Sequence, residues 1–284
     1  MDSRRAVLKT GASIGAVAIA GCSDLLASGS DSSEAALYAD FVTETVDRPV
    51  TVEFEQPSRL ASVEEYSSLD PDDRYIGVGP DDVESAVFVT LGQHGPQADG
   101  YGLLSASLPV ETVRAGLEEQ FQGVTERDSM NGFQTLEVAT GTEQIAYFGV
   151  GDNSIVLGSD RDLYETAVNA ANGDTSSLFD SNDALGLLED SIGKPAVGEF
   201  ELAPMRSTLN PTGDAVATGE GIEVAQGESP YTAGIVYETA RGASSTEFEI
   251  ANAIIGNRPG VDDVETTVDD RTVIVTATAT TSEL

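Results

Sequence analysis

The stretch that decides the fold is residues 144–173, QIAYFGVGDNSIVLGSDRDLYETAVNAANG. Its first half contains two short apolar runs, 144–150 and 154–158, on either side of a Gly-Asp-Asn turn, which predicts an antiparallel β-hairpin. Its second half begins with a capping-box pattern at Ser159, and apolar residues then recur at helical spacing until an Asn-Gly pair ends the pattern. The stretch therefore predicts one β-β-α unit.

The segments beside this unit predict further short elements. A strand at 133–138 precedes it, and a helix at about 182–192 follows it, ended by Gly193 and Pro195. A strand at about 196–202 comes next. Leu185, Leu188 and Ile192 are expected on the inner face of that helix.

Residues 86–121 repeat the order of patterns found in 144–171. Two strands are separated by the polar loop GQHGPQADG and are followed by a helix that Ser107 can cap, with Pro109 in its first turn. The two stretches indicate a duplicated β-β-α unit, although few of their residues are identical.

Most of the remaining patterns are strand-like. Apolar residues alternate with polar ones over 50–55, as in a half-buried strand, and alternation recurs at 231–237, 248–250 and 271–280, whereas 204–230 has a linker-like composition. Strands and helices do not alternate regularly, which argues against a doubly wound parallel sheet. The sequence predicts an α+β fold with a mainly antiparallel, curved sheet and packed helices, with two β-β-α lobes as an alternative.

The central stretch resembles a known family. Residues 146–190, AYFGVGDNSIVLGSDRDLYETAVNAANGDTSSLFDSNDALGLLED, are similar to a family of exported prokaryotic proteins classed as a domain of unknown function. Its hairpin, helix, Gly, Ser-Leu pair and short helix correspond here to 151–159, 163–171, Gly173, Ser177-Leu178 and 182–190. The resemblance implies a two-lobed α+β exported protein and brings no catalytic residues with it.

The first 21 residues predict an export signal. Arg4 and Arg5 lie in SRRAVLK, which resembles the twin-arginine consensus, and the apolar run that follows is shorter than the roughly 20 residues a membrane-spanning helix needs. Residues 19–22, IAGC, resemble a lipobox, in which the cysteine is lipidated and becomes the first residue of the mature protein. The two motifs predict that lipid on Cys22 attaches the protein to the extracytoplasmic face of the cell membrane.

The chain after Cys22 divides into a tether and a folded part. Residues 22–36 are rich in Ser, Gly and acidic residues without a periodic apolar face, so we expect a flexible tether. Residues 37–284 are long enough to bury a core as one domain, or as joined lobes over 37–203 and 204–284. Cys22 is the single cysteine of the sequence, which excludes an intrachain disulfide.

The charge balance is strongly acidic. The chain has 49 Asp and Glu against 14 Lys and Arg, and removal of residues 1–21 leaves 48 against 11, a net charge of −37. Self-repulsion of this size destabilises a compact state at low salt, but at molar salt the Debye length falls to about 3 Å. Acidic excess, scarce lysine and many small residues resemble proteins of salt-loving archaea. A nucleic acid partner is disfavoured, because phosphate requires a positive patch.

No cluster predicts catalytic chemistry, a cofactor or a metal. The acidic runs lack calcium-loop spacing and are expected to be solvated surface. His94, the only histidine, lies in a Gly/Pro-rich loop without a G-x-S-x-G elbow, and Gly149-x-Gly151 predicts a turn rather than a phosphate loop. Lys194, Arg206 and Arg241 are expected in surface ion pairs. The acidic runs are 70–73, Asp81-Asp82, Asp262-Asp263 and Asp269-Asp270.

Three functions remain open on these grounds. The first is a lipid-anchored cell-surface protein of a salt-adapted archaeon that binds a partner protein or an envelope component without catalysis. The second is a ligand-binding lipoprotein that serves a transporter, which requires a deep pocket between two lobes. The third, ranked last, is a hydrolase that uses carboxylates alone, which requires a convergent pair of buried carboxylates with raised pKa values.

Overall fold

The computed structural model describes residues 37–43, 49–61, 63, 78, 82–92, 99–121, 123–140, 145–202, 214–244 and 260–281. The strands are β1 (Val50–Glu55), β2 (Ser85–Leu91), β3 (Asp99–Ser105), β4 (Val124–Glu126), β5 (Gln134–Ala139), β6 (Ile145–Val150), β7 (Ser154–Gly158), β8 (Val197–Leu202), β9 (Ala215–Ile222), β10 (Glu228–Tyr237), β11 (Val261–Asp269) and β12 (Thr272–Thr280). The helices are α1 (Leu37–Phe41), α2 (Pro57–Ala61), α3 (Val110–Gln120), α4 (Arg161–Ala171), α5 (Leu178–Ser181) and α6 (Asp183–Ile192). A further helical turn lies at 240–244.

The strands form one open sheet in which every pair of neighbours is antiparallel. The order is β11-β12-β10-β9-β8-β1-β2-β3-β7-β6-β5-β4, so β1 lies near the middle and β11 and β4 form the edges. This arrangement confirms the predicted α+β class with an antiparallel sheet. Strands on both sides of residue 203 belong to the same sheet, because β8 pairs with β9.

One surface of the sheet, which we call the helical face, is covered by α1, α4, α5 and α6. Alternate residues of the central strands point into this layer, among them Val52, Val89 and Phe200. Aromatic rings fill its centre, with Tyr38 of α1 stacked on Phe200 at a centroid distance of 5.3 Å. A continuous apolar core therefore lies between the sheet and these helices.

The opposite surface, which we call the acidic face, has two separate apolar clusters. One lies under α3, where Val113 and Leu117 pack against β5, β6 and β7. The other lies over β10 and β12 and includes Leu60 of α2. Between the two clusters, β1, β8 and β9 present glutamates and threonines on this face.

Both predicted β-β-α units are present, as β2-β3-α3 and β6-β7-α4. Their inner strands pair with each other, with Tyr101 opposite Gly158 and Ser105 opposite Ser154. The two helices cover opposite faces of the sheet, because α3 packs in the cluster on the acidic face and α4 packs in the core of the helical face. A Cβ on Gly158 would overlap the backbone of Tyr164, so α4 lies directly against β7.

The predicted caps of α3 and α4 are wrong by one or two residues, whereas Asn182, where the helix at about 182–192 is predicted to begin, caps α6. Pro109 occupies the N-cap position of α3 without a side-chain cap, and the Ser107 hydroxyl instead donates to the Asp152 carbonyl. Asp160, not Ser159, caps α4 by accepting from the Leu163 N–H, while the Ser159 hydroxyl accepts from the Gly100 N–H. Both serines therefore form tertiary hydrogen bonds to a neighbouring loop or strand instead of capping a helix.

The predicted helix ends are confirmed. Helix α4 ends at Ala171 before Gly173, and α6 ends at Ile192 before Gly193, whose φ of 71° is the left-handed conformation that favours glycine. The predicted inner residues of α6, Leu185, Leu188 and Ile192, are buried.

Three strands, β4, β9 and β11, lie where the sequence predicts no strand. The stretch 204–230, with its linker-like composition, contains β9, and the charged segment 261–269 forms the edge strand β11. Strand β9 has glycines at alternate positions, which leaves room for α6, since a Cβ on Gly219 would lie 2.8 Å from Ile192. The predicted strand at 248–250 lies outside the described residues.

Candidate functional site

A line of glutamates crosses three adjacent strands in the middle of the acidic face. Glu53 of β1 lies directly opposite Glu199 of β8, and Glu199 lies directly opposite Glu220 of β9. Glu55 and Glu201, two residues further along their strands, share the same face. We call these five carboxylates, Glu53, Glu55, Glu199, Glu201 and Glu220, the glutamate row.

Threonines flank the glutamate row on one side. Thr51 lies opposite Glu201, and Glu201 lies opposite Thr218, so a hydroxyl, a carboxylate and a hydroxyl follow one another across β1, β8 and β9. On the other side, Glu55 lies opposite Val197, and Val197 lies opposite Ile222, where the apolar cluster begins. The row is thus an oxygen-rich strip bounded by an apolar region.

The glutamate row is buried, which is unusual for carboxylates. Glu53 is 5% exposed, and Glu55, Glu201 and Glu220 are also buried, while Glu199 is partly exposed. Like charges directly opposite each other on neighbouring strands destabilise a sheet. The glutamate row therefore lowers the stability of the fold, and the apolar packing around it must offset this free-energy cost.

The surroundings of Glu53 perturb the pKa of its carboxyl group. Burial raises the pKa of its carboxyl well above the ordinary value, and the charges of Glu199 and Glu55 raise this pKa further. Its Oε2 atom is buried and has no hydrogen-bond partner among the described residues. Glu55, Glu199, Glu201 and Glu220 each have an interaction partner. Glu53 is thus one member of the row with an unsatisfied oxygen.

The buried position of Glu53 and Glu55 corrects the expectation of a half-buried strand at 50–55. Every residue of β1 is buried, on both faces. The apolar residues face the helices as the alternation predicts, but the polar residues are also buried rather than exposed to solvent. Alternation alone does not distinguish these two cases, because it reports only that the two faces differ in polarity.

An ion pair lies just beyond the end of the glutamate row. Arg59 of α2 pairs with Glu223, which follows β9, and its guanidinium also donates to Gln56 Oε1 at 2.9 Å. Burial lowers the pKa of Arg59. A positive charge therefore lies near the Glu55 end of the row.

The row can perform two kinds of chemistry. A carboxyl with a raised pKa beside ionised neighbours can donate a proton, and several carboxylates on one strip attract a cation. Within the described ranges no three Asp, Glu, His or Cys side chains converge in a way that could hold a metal ion. The carboxylates are instead spread along a line across the strands.

The segment that follows the predicted tether is fixed in the core of the helical face. Tyr38 and Phe41 of α1 are buried, and the Tyr38 hydroxyl donates to the Gly193 carbonyl at 2.7 Å. The Ser177 hydroxyl donates to the Ala39 carbonyl, and the Leu178 N–H donates to the Val42 carbonyl. Helix α1 is therefore joined to α5 and α6 by both backbone and side-chain hydrogen bonds.

A second acidic group lies near α1, at the surface. The pKa of Glu189 is raised by partial burial and then by the charges of Asp190, Asp180 and Asp40, while Lys194 lowers it. Asp40, Asp180, Asp190 and Lys194 are exposed. This group is a solvated set of side chains and has no buried polar atom that points to a ligand.

The sequence-predicted residues are not brought together in the structure. Cys22, Arg4, Arg5, His94 and Arg206 lie outside the described residues, as do 70–73 and Asp81. Asp82, Asp262, Asp263, Asp269, Asp270 and Arg241 are exposed. Gly151 lies in the turn between β6 and β7, where its N–H donates to the Ser154 carbonyl, as the turn prediction requires.

The glutamate row was not predicted, although the sequence carries a signal for it. The tripeptide Glu-Phe-Glu occurs at 53–55 and again at 199–201, and these copies lie in the paired strands β1 and β8. In each copy the phenylalanine enters the apolar core and the glutamates lie on the acidic face. A third copy at 247–249 lies outside the described residues.

Comparisons with known proteins identify a similar fold. No protein-family model matches the chain, and no curated protein matches it. Crystal form III of TP0453 aligns with 86% of this chain and 94% of its own, at a TM-score of 0.54 and 13% identity. Crystal form IV aligns with 86% and 93%, at a TM-score of 0.52 and 11% identity. At such identities the likeness concerns the fold alone.

The fold therefore defines an α+β protein built on an open antiparallel sheet, similar in architecture to TP0453. Across the described part of the chain, no helix has both the length and the hydropathy needed to cross a membrane.

Proposed function

We propose that the protein is a lipid-anchored protein of the outer face of the cell membrane of a salt-adapted archaeon, and that it acts by binding rather than by catalysis. Lipid on Cys22 provides the anchor, and residues 22–36 provide the tether. The bound species is a small molecule or another component of the envelope.

The observation that supports this proposal best is the position of α1. The chain that leaves the tether enters the core within two residues, at Tyr38, which is 1% exposed. Tyr38 and Ala39 are hydrogen-bonded to Gly193 and Ser177, more than 130 residues away in sequence. A tether joined to a domain in this way holds the whole folded domain, because it cannot be pulled out without disrupting the core.

The anchor is tested by Cys22→Ser in the native host. We expect the variant to move from the membrane fraction to the medium, with Ser23→Ala, a change beside the lipidation site, as the matched control that stays on the membrane. A Cys22→Ser protein that remains on the membrane would contradict the lipobox. Replacement of Arg4 and Arg5 by Lys is expected to block export, and unchanged export would contradict the twin-arginine route.

The binding role is tested by recovery of the protein from membranes in molar salt. Co-purified small molecules and proteins are identified by mass spectrometry, with the released Cys22→Ser form as the reference. Species enriched at equimolar amounts with the anchored form support the role. Hydrolysis of a substrate by the purified protein would contradict it.

A hydrolase that uses carboxylates is the second candidate, and Glu53 is the observation that favours it. A carboxyl whose pKa is raised well above the ordinary value lies directly opposite Glu199, so one group of the pair can donate a proton while the other is ionised. The test is a screen of glycosides and esters in molar salt. Activity that is lost in both Glu53→Gln and Glu199→Gln, but not in the exposed control Glu265→Gln, supports this candidate.

A further inference from the structure

We propose that the edge strand β4 pairs with β4 of a second copy of this chain, antiparallel and about a two-fold axis, so that two sheets join into one. This inference concerns self-association, and it does not depend on the lipid anchor or on the proposed binding function.

The two edges of the sheet differ in how easily another strand can approach them. Strand β11 carries exposed acidic residues, which are Asp262, Asp263, Glu265 and Asp269. Its pairing with β12 shifts register between Asp262 and Glu265, where Asp263 has a φ of 53°. Charges and bulges of this kind keep other strands away from an edge. The pairing of β4 with β5 has no such shift, so β4 is the edge that a second strand can approach.

The charged side chains beside β4 are paired within the chain. Arg127, directly after β4, donates to both carboxylate oxygens of Glu137, at 2.7 and 3.1 Å. Glu126 of β4 lies 3.7 Å from Arg114 of α3, measured between Oε2 and Nη1. A second copy that approaches this edge meets paired charges of both signs rather than a run of carboxylates. The repulsion between two acidic chains is therefore smaller at β4 than at β11.

The backbone of β4 directs two residues toward the open edge. The Gly123 carbonyl accepts from the Ala139 N–H, and the Arg127 N–H donates to the Thr135 carbonyl. Successive residues of a strand direct their backbone groups to opposite sides, so residues 123, 125 and 127 face β5. The N–H and carbonyl groups of residues 124 and 126 therefore point away from β5.

A two-fold axis at Thr125 brings these backbone groups together. Val124 of each copy then lies opposite Glu126 of the other, and each such pair exchanges both of its N–H···O bonds. Thr125 lies opposite Thr125 of the second copy, in a Thr–Thr pair of the kind that stabilises antiparallel strands. Thr125 and Glu126 are exposed, so this edge is open to solvent. Because both copies use the same patch, the association closes at a dimer.

The side chains on the helical face fit the same register. Arg127 lies opposite Gly123 of the second copy, and Gly123 lies beside Ala139 of its own chain. Ala139 is exposed, and neither residue has a long side chain. The apolar stem of Arg127 can therefore lie across these two small residues while its guanidinium stays in water.

Sedimentation equilibrium in molar KCl measures the association. The full chain carries Cys22→Ser, which removes its single thiol and any lipid. The interface is small, so we expect a weak dimer that forms as the protein concentration rises from about 1 to about 100 μM. The measured mass then rises from that of one chain toward that of two. A chain that stays monomeric over this range overturns the proposal, and so does one that assembles beyond the dimer.

Two variants at residue 126 test whether the backbone of β4 forms the contact. Glu126→Pro removes an outward N–H that β5 does not use, and proline is tolerated at such positions of an edge strand. We expect this variant to stay monomeric at about 100 μM. Glu126→Gln removes the same charge but keeps the N–H, and it is expected to dimerise like its parent. Equal association of the two variants overturns the proposed pairing.

A cysteine at the two-fold axis tests the register even if Glu126→Pro does not fold. With Cys22→Ser, Thr125→Cys places two thiols in a non-hydrogen-bonded pair, where Cα atoms about 4.5 Å apart allow a disulfide. With oxidised glutathione as the oxidant, we expect a linked dimer to form about tenfold faster than from Thr267→Cys, an exposed position of edge strand β11. Equal rates for the two variants overturn the proposal.

Discussion

The two faces of the central sheet differ in the side chains that they bury. On the helical face, α1, α4, α5 and α6 cover a continuous apolar core with aromatic rings at its centre. On the acidic face, two apolar clusters are separated by the glutamate row. Strand β1 contributes to both faces, since Phe54 faces the helices while Glu53 and Glu55 belong to the glutamate row.

The difference indicates which face mainly stabilises the fold and which face is the better candidate for a function. Apolar burial is favourable wherever it occurs, so the helical face needs no further explanation. Buried, opposed carboxylates are unfavourable unless something compensates them, and folded proteins retain such groups at functional or ion-binding positions. The helical face therefore holds the domain together, and the acidic face is where a specific property is expected.

The largest expected effect tests the helical face. Phe200 is completely buried between Tyr38 and Phe179, so Phe200→Ala is expected to lower the free energy of unfolding by about 3–5 kcal/mol. Phe88 on the acidic face is only half-buried, and Phe88→Ala is the matched control with a smaller expected loss. Urea unfolding in molar salt measures both. Equal losses would mean that the two faces do not differ in their contribution to stability.

The next effect tests the acidic face and has the opposite sign. The pKa of Glu53 is higher in the folded state than in the unfolded chain, so the wild type loses stability as the pH rises from about 4.3 toward the folded-state value. Glu53→Gln removes this loss. At equal salt concentration, we expect the variant to be more stable than the wild type by about 1–3 kcal/mol at pH 8 and nearly equal at pH 4.

The same pH series distinguishes the row from the overall acidity of the chain. Unfolding of the wild type, Glu53→Gln and the exposed control Glu265→Gln is followed by circular dichroism. If Glu265→Gln gained as much as Glu53→Gln at pH 8, general charge repulsion rather than burial in the row would explain the gain.

A smaller effect tests how α1 is held against the helical face. Burial and then the charge of Glu189 raise the pKa of Tyr38, so its hydroxyl stays protonated and donates to the Gly193 carbonyl. Tyr38→Phe is expected to cost about 1 kcal/mol in unfolding free energy. Tyr147→Phe, on a half-buried ring of the same face, is the control. A cost of zero for Tyr38→Phe would show that packing alone holds α1.

The smallest expected effect concerns the edge strand β11. Glu265 is exposed there, and Glu265→Gln is expected to change the free energy of unfolding by less than about 0.5 kcal/mol in molar salt. Thermal unfolding measures it. A loss comparable to that of Phe200→Ala would mean that this edge takes part in packing.

Much of the sheet could be predicted from the sequence, and the site could not. The hairpin of β6 and β7, helix α6 and strands β8, β10 and β12 follow from local periodicity and stop signals. Strand β9 could not be predicted, because its alternate glycines give no apolar pattern. The need for glycine there follows only from the tertiary contact with Ile192, which leaves no room for a Cβ atom. Strand β11 could not be predicted, because it is a charged edge strand whose residues are exposed or only partly buried.

The sequence by itself determined the class of fold, because periods of two and 3.6 residues are local properties of the chain. It also carries the predictions of a lipid anchor, a tether and a high-salt environment. Only the tertiary structure decided that the two Glu-Phe-Glu copies lie side by side, that both faces of β1 are buried, and that Glu53 meets Glu199. Those facts depend on which strands pair and in which register, and pairing between residues 146 positions apart leaves no trace in local periodicity.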